Sequence, residues 1–329
     1  MAQPTNTFDA YDAVGIREDL SNFIYNISPT ECPFFRMAQR ATAKNNNHEW
    51  QTDSLAAAAH NAVITGDDAT LDAVSPTQRL GNRCQILDKT AVIAGNVESM
   101  DKAGRTKEMA YQVGKKTLEM KRDLEGGLMG KFLPTNGAIT VGSSTIAATF
   151  GCVPAWIHTN TSREATTGAG TNAAFTSGQL DAASVPTDST VTRALTETLL
   201  KSVIKGCWDQ GGNPDTIMCG SFNKQVISGF TANSNVTRFA MTDGKKLVTA
   251  LDIYVSDFGE HKIVANRFQR EREVFVLDME YWGIAYLRTP RNWALAKTGD
   301  SDKRQILTEV TLEARNEAAS GIIADLTSS

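Results

Sequence analysis

The rhythm of polar and apolar positions changes several times along this 329-residue chain. Residues 1–44 are polar, with isolated apolar anchors at Phe8, Val14, Ile16, Leu20, Phe23, Ile24 and Ile27, then Pro33-Phe34-Phe35. The spacing from Asp19 to Ile24 predicts one short helix, and Ser28-Pro29-Thr30-Glu31 predicts a break. So few apolar residues cannot make a core, so the segment must lie on something. The run His48–Thr52 alternates like an exposed strand, and Arg83–Ile93 reads as a second. Between them, Asp53–Asn82 is Ala-rich and broken by Gly66-Asp67-Asp68 and Ser75-Pro76. An irregular insertion of this length usually marks a functional loop, and a long hairpin-like excursion from the body is expected.

After Gly95, apolar residues recur at helical intervals: Val97, Met100, Ala103, Met109, Ala110, Val113, Met120, Leu124 and Leu128. One amphipathic helix of about thirty residues, roughly 45 Å long, is predicted. Its expected end is Glu125-Gly126-Gly127. Gly104, Gly114 and the uneven intervals do not sustain a coiled coil. Residues 135–192 hold only Arg163, Glu164, Asp181 and Asp188 as charges and read as loops and short strands. A helix is expected from Thr192 to Trp208, a strand at Thr216–Cys219 and a short helix at Asn223–Phe230. Strands follow at Leu251–Ser256, Lys262–Ala265, Glu273–Leu277, Trp282–Leu287 and Arg304–Ala314. This order argues for α+β rather than a doubly wound α/β fold.

Composition narrows the function. Hydrophobic residues make up 41% of the chain, which is ordinary for a folded protein. The 33 Lys and Arg against 37 Asp and Glu give a net charge of -4, which excludes a protein that wraps nucleic acid by coating phosphates. No apolar run approaches the roughly 20 residues of a membrane span, and the start MAQPTNTFDAYDAV lacks the order of a secretory signal. A soluble protein made in the cytoplasm, with no membrane partner, is expected. The five cysteines, an odd number without any Cys-x-x-Cys pair, read as buried apolar residues of a reducing compartment.

Tests for chemistry fail one after another. Gly114-Lys115-Lys116-Thr117 resembles the end of a phosphate loop, but Met109 stands where that loop needs glycine. Gly168-Ala169-Gly170 lacks the third glycine of a dinucleotide site. His48, His60, His158 and His261 have no metal-binding spacing and read as surface or loop residues. Asp67-Asp68 and Asp300-Ser301-Asp302 sit in turn contexts, where Asp is favoured for local hydrogen bonding. No nucleophile elbow occurs. Aromatic and basic residues interleave at Tyr281–Arg288 and Arg291–Trp293, yet the alternation fits a buried strand better than a base-stacking platform. The sequence implies no catalytic residue, metal or cofactor.

Ordered segments carry a resemblance. Gly15-Ile16-Arg17-Glu18-Asp19-Leu20, Ile27-Ser28-Pro29, Cys32-Pro33-Phe34-Phe35 and the His48-Glu49-Trp50 strand resemble the opening of tailed-phage major capsid proteins with the Hong Kong 97-type fold. Val276–Arg288, Leu295–Gln305, Glu309–Glu313 and Asn316-Glu317 resemble the end of that family. The resemblance implies an N-terminal arm over residues 1–49 and an extended loop over 50–94. It implies a peripheral domain with a spine helix over 95–191, an axial domain over 192–270 and return strands over 271–329. It implies self-assembly into pentamers and hexamers of an icosahedral shell around double-stranded DNA. Inter-subunit candidates are Phe8, Arg17, Phe34, Phe35, Trp50, Asp67, Asp68 and Arg79. The spine helix carries seven basic and six acidic residues, close to a plain solvated helix. Lys115, Lys116, Lys121 and Arg122 are its candidates for non-specific contact with DNA on the inner face.

Two departures refine the expectation. Asp53–Asn82 contains no Lys, so a shell sealed by isopeptide bonds is not expected, and a separate cement protein would reinforce it. No helical segment of about a hundred residues precedes the arm, which suggests a separate scaffolding protein; a portal is a further partner. Competing readings are an encapsulin-type cellular compartment and a hydrolase using carboxylates of the Gly-rich middle. The expected location is the virion capsid, assembled in host cytoplasm.

Overall fold

The computed structural model describes residues 27–68, 72–133, 139–164, 168–176, 179–180, 186–230 and 252–328. In chain order the elements are α1 (Pro33–Met37), β1 (Gln39–Thr42), β2 (Asn47–Thr52), β3 (Gln78–Arg83), β4 (Gln85–Ala94), α2 (Gly95–Ser99) and α3 (Glu108–Leu128). Next come α4 (Val153–Trp156), β5 (Asn160–Ser162), β6 (Phe175–Thr176), β7 (Gln179–Leu180), α5 (Glu197–Asp209), β8 (Thr216–Cys219) and α6 (Ser221–Ser228). The chain closes with β9 (Ile253–Ser256), β10 (Gly259–Ala265), β11 (Val274–Leu277), β12 (Trp282–Ala294), β13 (Ser301–Ala314) and β14 (Gly321–Ile323). The α+β class expected from the order of elements is what is found.

Two sheets organise the molecule. The first runs β1-β12-β13-β4, and the second β5-β14-β11-β8-β10-β9. In the second, apolar strands are buried on both faces, and strand alternation divides their side chains between two cores. Phe275 and Leu277 of β11 join Trp156, Trp282 and Phe34 on one side. Val274 and Val276 join Leu200, Ile204 and Ile227 on the other. This sheet takes strands from outside residues 192–270: β8 of the segment expected as an axial domain pairs directly with β11, and the sheet continues from β11 through β14 to β5.

The long helix differs from expectation. Met100 is extended, Gly104 has φ of 76°, and the segment divides into α2 and a 21-residue α3. Apolar spacing alone could not show this break, because residues on either side keep a similar period. Glu98 accepts the backbone N–H of Glu108 at 3.1 Å, capping α3 from the preceding segment. At the other end α3 runs through Gly126-Gly127 and stops at Gly130, whose φ is 69°. The Lys131 N–H bonds Gly126 O at 2.9 Å and the Gly130 N–H bonds Gly127 O at 3.3 Å, a Schellman ending. Gly126 and Gly127 serve close packing instead: a Cβ there would meet Phe132 or Phe150 at 3.3–3.4 Å.

Smaller corrections have local causes. Helix α5 begins at Glu197, not Thr192, because the Thr196 hydroxyl caps it by accepting the Leu199 N–H, while Arg193 bridges to Leu326. Strand β3 precedes the second predicted strand and pairs with β2 over the full length of both. The predicted strands at Trp282–Leu287 and Arg304–Ala314 extend to form one hairpin, β12 with β13. The short helix expected over Asp19–Ile24 lies outside the described residues.

Candidate assembly surfaces

Residues 53–77 connect β2 to β3, and every one that is described is exposed. Leu55 and Val74 are 98% and 95% exposed, Val63 and Ile64 each 79%. Exposed apolar side chains gathered on one excursion lack the burial that stabilises a fold and mark an interaction surface. The only charged residues in the segment are Asp53, Asp67, Asp68 and Asp72. At its tip the Asp67 N–H bonds Ile64 O at 3.1 Å, and Gly66 with φ of 87° allows the turn.

The base of this loop is fixed. The Trp50 ring lies 5.3 Å from that of Trp156, a fully buried residue. Asn82 is buried and makes four hydrogen bonds. Its Nδ2 donates to Leu312 O at 2.8 Å and Gly151 O at 3.2 Å, and its Oδ1 accepts the N–H of Gly151 and of Arg83, each at 2.9 Å. Arg79 stays exposed, 3.7 Å from Glu49 across the hairpin.

Among the inter-subunit candidates, Phe34 must be withdrawn. It is fully buried in its own subunit, edge-on to Trp282 at 6.2 Å. Phe35 is half-buried, with the Arg40 guanidinium 3.9 Å above its ring. Trp50 is half-buried at the loop base, not on an exposed strand. Asp67 and Asp68 are exposed, and Arg79 is exposed beside its partner Glu49. Phe8 and Arg17 lie outside the described residues.

On α3, Lys115 and Lys121 are exposed. Lys116 pairs with Glu119 at 2.8 Å, Lys89 of β4 with Asp123 at 2.5 Å, and Arg122 lies 5.5 Å from the Phe268 ring. Of the four basic residues of α3, Lys116 alone is in an ion pair among the described residues, and Asp123 is taken by Lys89.

The remaining chemistry is structural. Burial pushes the thiols of Cys32 and Cys84 up to about 11 and those of Cys152, Cys207 and Cys219 to about 12, leaving them protonated and unreactive. His261 is not a surface residue: it is buried, its Nδ1 2.7 Å from Pro214 O and its Nε2 2.7 Å from Ser256 Oγ. Burial holds its pKa below the ordinary value, so the neutral ring ties the β9–β10 turn to the chain before β8. Among the described residues no cluster of His, Cys, Asp and Glu could hold a metal, and no helix is long and apolar enough to cross a membrane.

Sequence reasoning missed Asn82, Glu125, Glu273 and Asp325, polar residues buried at the junctions of segments distant in the chain. Their one signal was polarity beside an apolar strand or helix end.

Comparison with known proteins gives the same picture. A family profile described as SU10 major capsid protein matches residues 3–327. The major capsid protein of Escherichia phage Phieco32 is 27% identical over 98% of this chain and 97% of its own length. The fold is similar to the cyanophage A-1(L) capsid asymmetric unit, with TM-score 0.66 and 12% identity over 95% of this chain and 97% of that one. It is also similar to the capsid of a native GTA particle, with TM-score 0.63 and 10% identity over 97% and 98% of the two chains. These likenesses establish the Hong Kong 97-type fold. A structural family leaves no place for the hydrolase reading. Matched by that profile over nearly its whole length, the chain belongs to the SU10 major capsid protein family of tailed phages, structural proteins that assemble into the virion capsid.

Proposed function

We propose that copies of this chain assemble as pentamers and hexamers into an icosahedral shell that encloses double-stranded DNA. The observation that carries this reading is the loop 53–77, whose apolar residues find no cover in their own subunit. Many modest contacts per subunit, each involving the loop or the arm, multiply into a stable particle. Residues 1–49 act as the arm, 95–191 with 271–329 as the peripheral lobe and 192–270 as the axial lobe. A separate scaffolding protein, a portal and a cement protein are the partners, and assembly takes place in the host cytoplasm.

DNA is confined rather than tightly bound. The net charge of -4 and the paired state of Lys116 support this, leaving exposed Lys115 and Lys121, with Arg122, for weak non-specific contact while ions neutralise most phosphates. Purified protein examined by size exclusion and negative-stain microscopy tests the reading, with closed shells expected. A variant lacking residues 55–75, which leaves β2, β3 and Asn82 in place, should fold as a subunit and fail to close shells. Normal particles from that variant would remove the loop from assembly.

A further inference from the structure

Where β1 ends, the sheet β1-β12-β13-β4 leaves a groove of about 490 Å³. Strand β1 covers the edge of β12 only from Gly283 to Tyr286, and no described strand pairs with that edge beyond it. The groove is lined by Arg40, Arg288 and Arg291, with Tyr286, Trp293 and Leu307 among its apolar walls. Arg288 is held by Glu309 at 2.7 Å, and Arg40 lies against Phe35. Arg291 is exposed and has no ion-pair partner among the described residues. Trp293 is 53% exposed, unusual for so large an apolar ring.

The groove and the loop are opposite in charge and alike in apolar character. Three arginines against one glutamate leave the groove positive, whereas residues 53–77 carry four Asp and neither Lys nor Arg. The tip turn offers Asp67 and Asp68 just beyond Val63 and Ile64, across Thr65-Gly66. Twelve extended residues from Asp53 to Ile64 reach up to about 40 Å, far enough to leave the parent subunit. The other basic surface, on α3, fits less well, because Glu119 and Asp123 lie among its lysines.

We propose that the loop tip of one copy seats in this groove of a neighbouring copy. Asp67 and Asp68 meet Arg291 and Arg40, and Val63 and Ile64 cover Trp293 and Leu307. The contact decides which surface of the neighbour the loop selects, since a misplaced acidic tip meets compensated or acidic surroundings. It rests on the reading of residues 53–77 as an assembly loop and adds the receptor surface.

Charge exchange tests it. All three positions are exposed, so D67R/D68R and R291D should keep the thermal midpoint of the free subunit. Each should raise the protein concentration needed for shell formation at least about tenfold, because like charges then face each other. Combining the single reversal D68R with R291D in one chain, which leaves Asp67 to Arg40, should restore assembly. In a Cys32→Ser background, D68C with R291C should give oxidised particles that run as multimers on a non-reducing gel. Normal assembly of R291D, no restoration in the combined variant, or a monomeric band after oxidation would each overturn the groove assignment. If loop reversal alone stops assembly, the loop docks elsewhere and this proposal fails while the assembly role of the loop stands. If wild-type protein forms no particles under any condition, the failure lies in the assembly reading itself.

Discussion

Near the C-terminal end of α3, the carboxylate of Glu125 accepts the backbone N–H of Phe34 at 2.9 Å, tying the spine of the fold to the first turn of α1. The same carboxylate accepts the Phe35 N–H at 2.7 Å and Asn266 Nδ2 at 2.7 Å. Helix α1 has no side-chain cap at Cys32, so Glu125 satisfies donors that its own segment leaves open. Burial pushes this carboxyl up and the three donors pull it down, with burial the larger effect. In Glu125→Gln the amide nitrogen cannot accept, so at least one buried donor loses its partner. A loss of about 1–3 kcal/mol is expected, read as a lower urea midpoint of the free subunit. An unchanged midpoint would mean that α1 is held by Phe34 packing alone.

Asn82 is the corresponding fixture at the loop base. Asn82→Ala leaves Gly151 N–H and Leu312 O without partners inside the core, a cost of about 2 kcal/mol or more. Because β2 and β3 both hang from this point, the loop should also lose its orientation. The expected result is slower shell formation even at temperatures where the subunit stays folded, followed by light scattering beside a circular-dichroism melt. Assembly at the wild-type rate would show that the loop needs no fixed base.

These residues explain how far the sequence could be read. The loop was legible because Ala-rich, Gly- and Pro-broken chain cannot form regular structure, and β8 and β11 were legible as short apolar runs. The break between α2 and α3 was hidden, since Val97 and Met109 keep helical spacing across a left-handed Gly104. Phe34 looked like an outward anchor because nothing local says that it packs on Trp282, 248 positions away. Buried polar residues were hidden for the same reason: Asn82 and Glu125 acquire meaning only from partners far along the chain.

Asp325 is a sharper case, the one described non-glycine residue with positive φ, 61°. It is fully buried, its Oδ1 accepting the Ser189 N–H at 2.8 Å and its Oδ2 the Glu164 N–H at 3.2 Å. Asp325→Ala combines lost acceptors with an unfavourable left-handed backbone. Asp325→Asn tolerates that backbone and keeps one acceptor, and Asp325→Gly relieves the backbone only. Denaturant midpoints should therefore fall in the order wild type, Asn, Gly, Ala. An Ala variant as stable as Asn would show that neither the acceptors nor the backbone strain matters here.

The last prediction concerns pH. Glu273 is buried, with Oε1 2.8 Å from Arg270 Nη1 and Oε2 without a hydrogen-bond partner. Burial raises its carboxyl from 4.5 to about 7, against the pull of Arg270 and Arg163, with Asp188 and Asp325 adding to the rise. The folded subunit therefore holds this proton more tightly than the unfolded chain does. By linkage, the contribution is fully present below the ordinary carboxylate range and is lost as pH rises through it towards about 7, by at most about 1.4 kcal/mol per pH unit. Glu273→Gln removes the proton and with it this slope. Urea unfolding of both proteins from pH 4.5 to 8 should show the stability of wild type falling relative to Gln up to about 7 and running parallel above it. Curves parallel throughout would mean that Arg270 keeps Glu273 ionised across the whole range.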